Sequence, residues 1–393
     1  MLMYRLLAIL GISLVSSFCW SSSNVDALLI GILTDKDIRA IQIHPESGSY
    51  KLIADGNTIL KLGLSSRFSL IHTDGRVRVK TPESDLGSYK SIKLLSDTAH
   101  SYFRLYSIAP GGVERVYDDN LIVTSEKGRL KLINQVGIEK YVAGVVEAES
   151  GKEKKLEFYK AQAIISRSYA LNNINRYIKK GYNLNDLVDC QVYYGKSRWE
   201  PLILSAVNET RGKVLVDSEM ELITAAFHSN SGGETVSSEA VWSGSLSYLS
   251  KREDSFSLSG KHATWEKTIG KNDWLNYLTA EYNFDTSDKL LREMAVNYKQ
   301  ENRHVYFLDP LFGIPLKEIR SDWSLKSTFF SIQPYGVDSL VMKGRGFGHG
   351  TGLSQEGAMR MADLGFSYID ILHFYYDDVH IIDLDALEFF RTD

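Results

Sequence analysis

Three stretches of this sequence carry residue types at spacings that could do chemistry. The first is GIEKYVAGVVEAESG, residues 137–151. Its apolar residues Ile138, Tyr141, Val142, Val145 and Val146 recur at helical spacing, and the next position on that stripe is Glu149. Glu147 falls on the opposite, solvated face, and Gly151 is a natural stop. A carboxyl group that continues an apolar stripe into the last turn is partly buried and sits at the negative end of the helix dipole. Both effects raise its pKa, as a proton donor near neutral pH requires. The second stretch is HSNSGG, His228 to Gly233, where Ser231 follows His228 by one turn of chain. It lacks the Gly-x-Ser-x-Gly elbow of a serine hydrolase, so Ser231 as a nucleophile is the weaker alternative to a tight loop whose hydroxyls bond the backbone. The third is GRGFGHGTG, residues 344–352, in which five glycines surround His349. The chain there must turn sharply or approach a ligand closely, and His349 is a candidate polar contact. It is not a phosphate loop, because the following helix begins only near Ser354.

The elements that position these residues are a mixture. Residues 28–135 show period-two alternation in short runs, punctuated by Asp-Gly, Pro-Gly-Gly and Lys-Gly turns, and predict a β-rich domain. After the helix ending at Gly151, a longer helix is predicted over 156–180, stopped by Gly181. Its apolar stripe of Ala163, Ile164, Leu171, Ile174 and Ile178 also contains Arg167, which must find an acceptor or snorkel. DLVDCQVYYG reads as loop into strand, SAVNETRGKVLVD as a short helix, a turn at Gly212 and a strand, and ELITAAFHSNSGG as an apolar strand entering a turn. Residues 260–340 have mixed patterning without a chemical motif and read as an insertion. Residues 341–385 resume with a strand, the glycine loop and two helices, the second capped by Ser367. The expected class is α+β: a β-rich N-terminal domain (28–135) and a mixed core in two parts (136–259 and 341–385) around the insertion.

Composition narrows the function. With 45 Lys and Arg against 49 Asp and Glu, the net charge of −4 argues against a nucleic-acid binder. Two cysteines, Cys19 and Cys190, exclude a disulfide scaffold and an all-cysteine metal site. Nine histidines include no HExxH, and no Cys/His pair surrounds Cys190. Residues 1–25 have a positive Arg5 and an apolar run over 6–15, which reads as a secretory signal peptide or N-terminal anchor. Phe18 before Cys19 does not suit lipidation. The protein is therefore expected outside the inner membrane, in the periplasmic or cell-wall space, touching a membrane only through that segment if it stays uncleaved.

In this order, GIEKYVAGVVEAESG, KAQAIISRSYAL, DCQVYYG, NETRGKVLVD, AAFHSNSGGETVSSEAVW and GRGFGHGTGLSQEGAM resemble the SpoIID/LytB family of sporulation stage II protein D-like peptidoglycan lytic transglycosylases and amidase enhancers. The resemblance implies cleavage of the β-1,4 bond between N-acetylmuramic acid and N-acetylglucosamine without water, on strands stripped of stem peptides by an amidase acting upstream. It assigns the acid to Glu149. It implies that Arg167, Tyr169, Gln191, Tyr193, Ser231, His349 and Gln355 line the groove or orient the acid. The alternative it carries is a non-catalytic, glycan-binding enhancer of an amidase. No cofactor is implied: some relatives hold zinc near the segment matching Cys190, but the extra Cys and His ligands are missing here. Gly151 replaces the family's usual proline, and Phe347 replaces a common tryptophan.

Overall fold

The computed structural model describes residues 27–386 except Ser243. Residues 1–25, expected to be a signal peptide or anchor, and Cys19 among them lie outside the described residues. The architecture is mixed α+β, with several sheets and helices. Strands β1 (Ala27–Ile32), β2 (Ala40–Ser47), β3 (Tyr50–Ala54), β4 (Asn57–Leu62), β5 (Phe68–Thr73), β6 (Arg76–Lys80), β7 (Asp85–Tyr89), β8 (Ser91–Ser96), β9 (Tyr102–Ala109), β10 (Glu114–Asp118), β11 (Asn120–Glu126) and β12 (Arg129–Gly137) open the chain. Three of their hairpins turn where the sequence predicts, at Asp55-Gly56, Asp74-Gly75 and Lys127-Gly128. Each pair has positive φ at both residues, the geometry that matches the twist of the flanking strands.

Helices α1 (Ile138–Ser150) and α2 (Leu156–Asn172) follow, then β13 (Leu184–Asn185), α3 (Pro201–Glu209), β14 (Lys213–Val216) and β15 (Phe227–His228). The segment 264–345 supplies β16 (Thr264–Gly270), α4 (Lys271–Tyr282), α5 (Lys289–Val296), α6 (Leu316–Asp322), β17 (Phe330–Tyr335) and β18 (Ser339–Arg345). The chain closes with β19 (Leu353–Ser354), α7 (Gln355–Asp363), α8 (Tyr368–Tyr375) and β20 (His380–Asp383). The N-terminal strands form two sheets, ordered β13-β1-β12-β11-β8-β3-β4 and β10-β9-β2-β5-β6-β7. Neighbours run antiparallel except β1 with β13. The inward residues of both sheets, such as Val77, Val79, Ile92, Leu94, Leu121 and Val123, join one core that continues into α1, α2, α7 and α8. The insertion has its own core around Trp274, Phe307, Phe330 and Met342. No helix among the described residues is long and apolar enough to cross a membrane.

Helix α2 differs from its sequence reading twice. It ends at Asn172 rather than running to residue 180, and a short 3-10 turn, Ile178–Lys180, precedes Gly181. At the stop, the Tyr169 carbonyl accepts both the Asn173 backbone N–H and its side-chain amide, each at 3.0 Å. The helix is also buried nearly all round from Phe158 to Leu171, not along one stripe, because α1, α3, α7 and α8 pack about it. The segments 186–195 and 222–226 are largely irregular rather than strands, and their backbone bonds go to neighbouring loops and side chains instead of a ladder.

Arg167 finds its acceptor. It is fully buried and grips Glu139 of α1 with two bonds, Nε–Oε1 at 3.0 Å and Nη2–Oε2 at 2.5 Å. Its Nη1 donates to the Lys213 carbonyl at 2.8 Å, tying α1, α2 and β14 at one point. Removing one partner of a buried pair strands the other charge, at about 3–5 kcal/mol. Arg167→Met is expected to lose stability of that order in urea unfolding. A loss under about 1 kcal/mol would show that Glu139 is adequately solvated without its partner.

Candidate active site

Glu149 lies in the last turn of α1, which Gly151 ends at φ +68°. Its position depends on how closely the loop after β13 approaches the helix. Gly144, one turn and a half earlier, makes that approach possible. A Cβ there would stand 2.2 Å from the Gly195 carbonyl oxygen and 2.6 Å from the Tyr193 ring. The buried Tyr193 ring packs on Tyr141 of α1 at 5.0 Å, and its hydroxyl donates to Asn134 Oδ1 at 2.9 Å. The loop is thereby pinned between α1 and the sandwich.

Two carboxylates of α1 then hold the same loop. Glu149 Oε1 accepts the Val192 N–H at 2.7 Å. Glu147 is not solvated as its helical position suggests. It accepts the Ser197 hydroxyl at 2.9 Å and the Arg198 and Trp199 N–H groups at 3.0 and 2.9 Å. Burial raises the Glu149 pKa above the usual carboxylate range, and the single Val192 N–H offsets that only in part.

Glu149 opens onto a cleft of about 590 Å³. Its lining includes Tyr169, Asn173 and Arg176, residues 188–190 and Val192, residues 224–229, and Trp242, Phe347 and His349. Of the residues named from the sequence, the cleft gathers Glu149, Tyr169, His349 and Gln355. Tyr169 donates to the Asp189 carbonyl at 3.4 Å, and its phenol is pushed up to about 12, first by burial. Gln355, at the start of α7, reaches the Glu149 carbonyl at 3.5 Å and Gln162 Oε1 at 3.4 Å. His349 spends both ring nitrogens on backbone: Nε2 lies 2.9 Å from the Phe227 carbonyl, and Nδ1 accepts the Thr351 N–H at 3.1 Å. Burial lowers its pKa to about 4, so the ring is neutral and offers a face rather than a charge. Trp242 lies against it at 5.7 Å, 37% exposed, a platform of the kind a sugar ring stacks on.

Four of the named residues do not line the groove. Arg167 is occupied as described. Tyr193 is buried against α1. Gln191 is 1% exposed, with Tyr141 at 3.5 Å from its Oε1. Ser231 is fully buried, and its hydroxyl donates to Asp254 at 2.7 Å and lies 2.7 Å from the Ser257 hydroxyl. No histidine bonds it, so the serine-nucleophile alternative fails for want of both a base and access.

The sequence reading missed several lining residues. His228 is buried, and its Nδ1 lies 3.1 Å from the Thr351 carbonyl, leaving Nε2 without a protein partner. Gly348, at φ +117°, lets the glycine loop lie on it, since a Cβ there would stand 2.6 Å from the His228 Cβ. Asp189 is the other acid of the cleft. Burial pushes its pKa up, but the Tyr177 hydroxyl and the Asn185 amide outweigh that and hold it below the usual range. The two cleft acids are thus separated by environment, one favouring the proton and one refusing it. Arg320, from α6 of the insertion, also lines the cleft, and nothing in its local sequence signals this.

A family model described as Stage II sporulation protein matches residues 126–216. Stage II sporulation protein D of Bacillus subtilis is 31% identical over 274 residues, covering 65% of this chain and 77% of that protein. An uncharacterised protein of Brachyspira hyodysenteriae is 29% identical over 276 residues, 69% of this chain and 71% of that one. A Bacillus subtilis protein named Amidase enhancer is 28% identical over 283 residues, 59% of this chain but 39% of the relative.

Two outcomes follow from the geometry. Gly144→Ala is expected to cost about 1–3 kcal/mol by overpacking the helix against the loop. A chemical-denaturation midpoint equal to wild type would mean the loop is not held by that contact. The second concerns protonation. Because burial places the folded-state pKa of Glu149 above that of the unfolded chain, the group favours folding while protonated, and that advantage fades as pH rises through the folded value. Glu149→Gln keeps an acceptor for the Val192 N–H. It should melt above wild type near pH 8, with the gap closing near pH 4, below the usual Glu pKa of about 4.3.

Proposed function

The chain belongs to the stage II sporulation protein D family, and from that premise we propose that it is a lytic transglycosylase of peptidoglycan. Family membership and the similarity to a protein named Amidase enhancer support a cell-wall role. The observation that carries the finer reading is Glu149: an acid lining a cleft of about 590 Å³, desolvated and bonded to a single N–H.

One carboxyl group suffices for this reaction if it can both give and take a proton, where ordinary glycosidases use a pair. Protonated Glu149 donates to the glycosidic oxygen of the β-1,4 bond, and the bond from that oxygen to C1 of N-acetylmuramic acid breaks. The resulting carboxylate takes the proton of the same sugar's C6 hydroxyl as its oxygen bonds to C1. The products are a 1,6-anhydro end and a free 4-hydroxyl, and Glu149 is protonated again. No water enters the balance. A raised pKa serves the first step, and the Val192 N–H steadies the carboxylate between steps. Trp242, His349 and Phe347 offer ring faces for the sugars, and Tyr169 and Gln355 border the acid.

The substrate in this proposal is a glycan strand stripped by an upstream amidase, and the site of action is the periplasmic or cell-wall space. The relative named Amidase enhancer favours a second reading, a glycan-binding partner of an amidase that does not cut. Purified protein is expected to release fragments lighter by one water than hydrolysis products from amidase-stripped sacculi, and Glu149→Gln is expected to release none while keeping a wild-type fold. If wild type also releases nothing, yet both proteins stimulate an amidase equally, the second reading stands and the first does not.

A further inference from the structure

The insertion is more than a spacer, because one of its side chains enters the cleft. Arg320 sits in the last turn of α6 and lines the same cleft as Glu149 and His349. Its surroundings differ from those of the other buried arginines. Arg167 holds a carboxylate with two bonds, and Arg303 donates to the Ser231 carbonyl with Glu234 beside it. Among the described residues, Arg320 donates only from Nε, to the Lys326 carbonyl at 3.3 Å, and no carboxylate pairs with it. The rest of its fork is uncommitted. Its charge reaches His228, His349 and Arg303, and each is driven further toward its deprotonated form. Desolvation of this half-buried guanidinium disfavours its charge, and no acid among the described residues offsets it. Glu149, by contrast, is shifted by burial and the Val192 N–H, with no cation among its causes, so Arg320 acts away from the bond being cut.

We propose that Arg320 is a specificity-determining residue that binds the free lactyl carboxylate of an N-acetylmuramic acid lying along the cleft away from the cleaved bond. The inference rests on the transglycosylase reading for its choice of polymer. Two neighbouring nitrogens of a guanidinium match the two oxygens of a carboxylate, and the pair is strongest where water is partly excluded. On a strand still carrying stem peptides the lactyl carboxyl is an amide, with no charge to offer. The residue thus discriminates between stripped and intact glycan by one ion pair, and the cost of leaving that guanidinium unpaired penalises the wrong strand.

Binding can be read without cleavage. In full-length Glu149→Gln protein, affinity would be measured for three probes: amidase-stripped strands, the same strands with lactyl carboxylates converted to methylamides, and intact peptide-bearing strands. Adding Arg320→Gln, or methylamidating the probe, is expected to weaken binding by about 10-fold each, the worth of one charge-assisted bond. Combining the two changes should give no further loss, because they remove the same contact. Arg320→Lys should recover part of the affinity, and melting temperatures would check that both variants fold. The methylamide arm needs no substitution at Arg320, so it decides even if Arg320→Gln misfolds. Strong binding that is indifferent to both changes would overturn the role of Arg320 while leaving the proposed function intact. An Arg320 effect confined to intact strands would move the carboxylate to the stem peptide and overturn the lactyl assignment. Binding of none of the three probes would overturn the glycan reading together with this one.

Discussion

The site depends on how closely one irregular loop lies against helix α1. Gly144 removes the side chain that would hold them apart, and Tyr193 fills the gap between helix and sandwich. Once that contact is made, the last turn of α1 supplies two carboxylates to the loop. Glu147 accepts three bonds from residues 197–199, and Glu149 accepts one from Val192. Glu147 is thereby tied to the loop, whereas Glu149, desolvated and given one donor, has its pKa raised.

The rest of the cleft is arranged so that little else titrates in the same range. His349 is fixed as a neutral ring by backbone bonds on both nitrogens, and burial keeps His228 neutral as well. Asp189 is held ionised by Tyr177 and Asn185. The cleft brings together Glu149, the rings of Trp242, Phe347 and His349, and the guanidinium groups of Arg176 and Arg320. Ser231 takes no part in it, being buried with an aspartate for a neighbour.

The glycines of the 344–352 loop permit close approach, as their spacing implies, and Gly346, Gly348 and Gly352 use it to pack on the chain's own segment around residues 226–232. The loop locks that segment against β19 and α7, and this presents Phe347 and His349 to the cleft. Arg303 of the insertion braces the same region through a bond to the Ser231 carbonyl. The insertion is therefore continuous with the site mechanically as well as through Arg320.

Local pattern was enough for much of this protein. The period-two runs with Asp-Gly and Lys-Gly turns yielded the N-terminal hairpins, because turn geometry is set by residues in contact along the chain. The apolar stripe of α1 identified Glu149, because helical periodicity is local too. What the stripe could not reveal is what lies opposite it. Glu147 looked solvated until the loop at 197–199 was placed over it, and Arg167, Gln191, Tyr193 and Ser231 looked like groove residues until their partners, far away in sequence, were in place. Arg320 lay in a segment with no motif at all and acquires meaning only because tertiary packing carries α6 to the cleft. Residue types and short-range periodicity determined which carboxyl could be an acid. Long-range packing decided which neighbours it has, and desolvation and hydrogen bonding by those neighbours set its proton affinity.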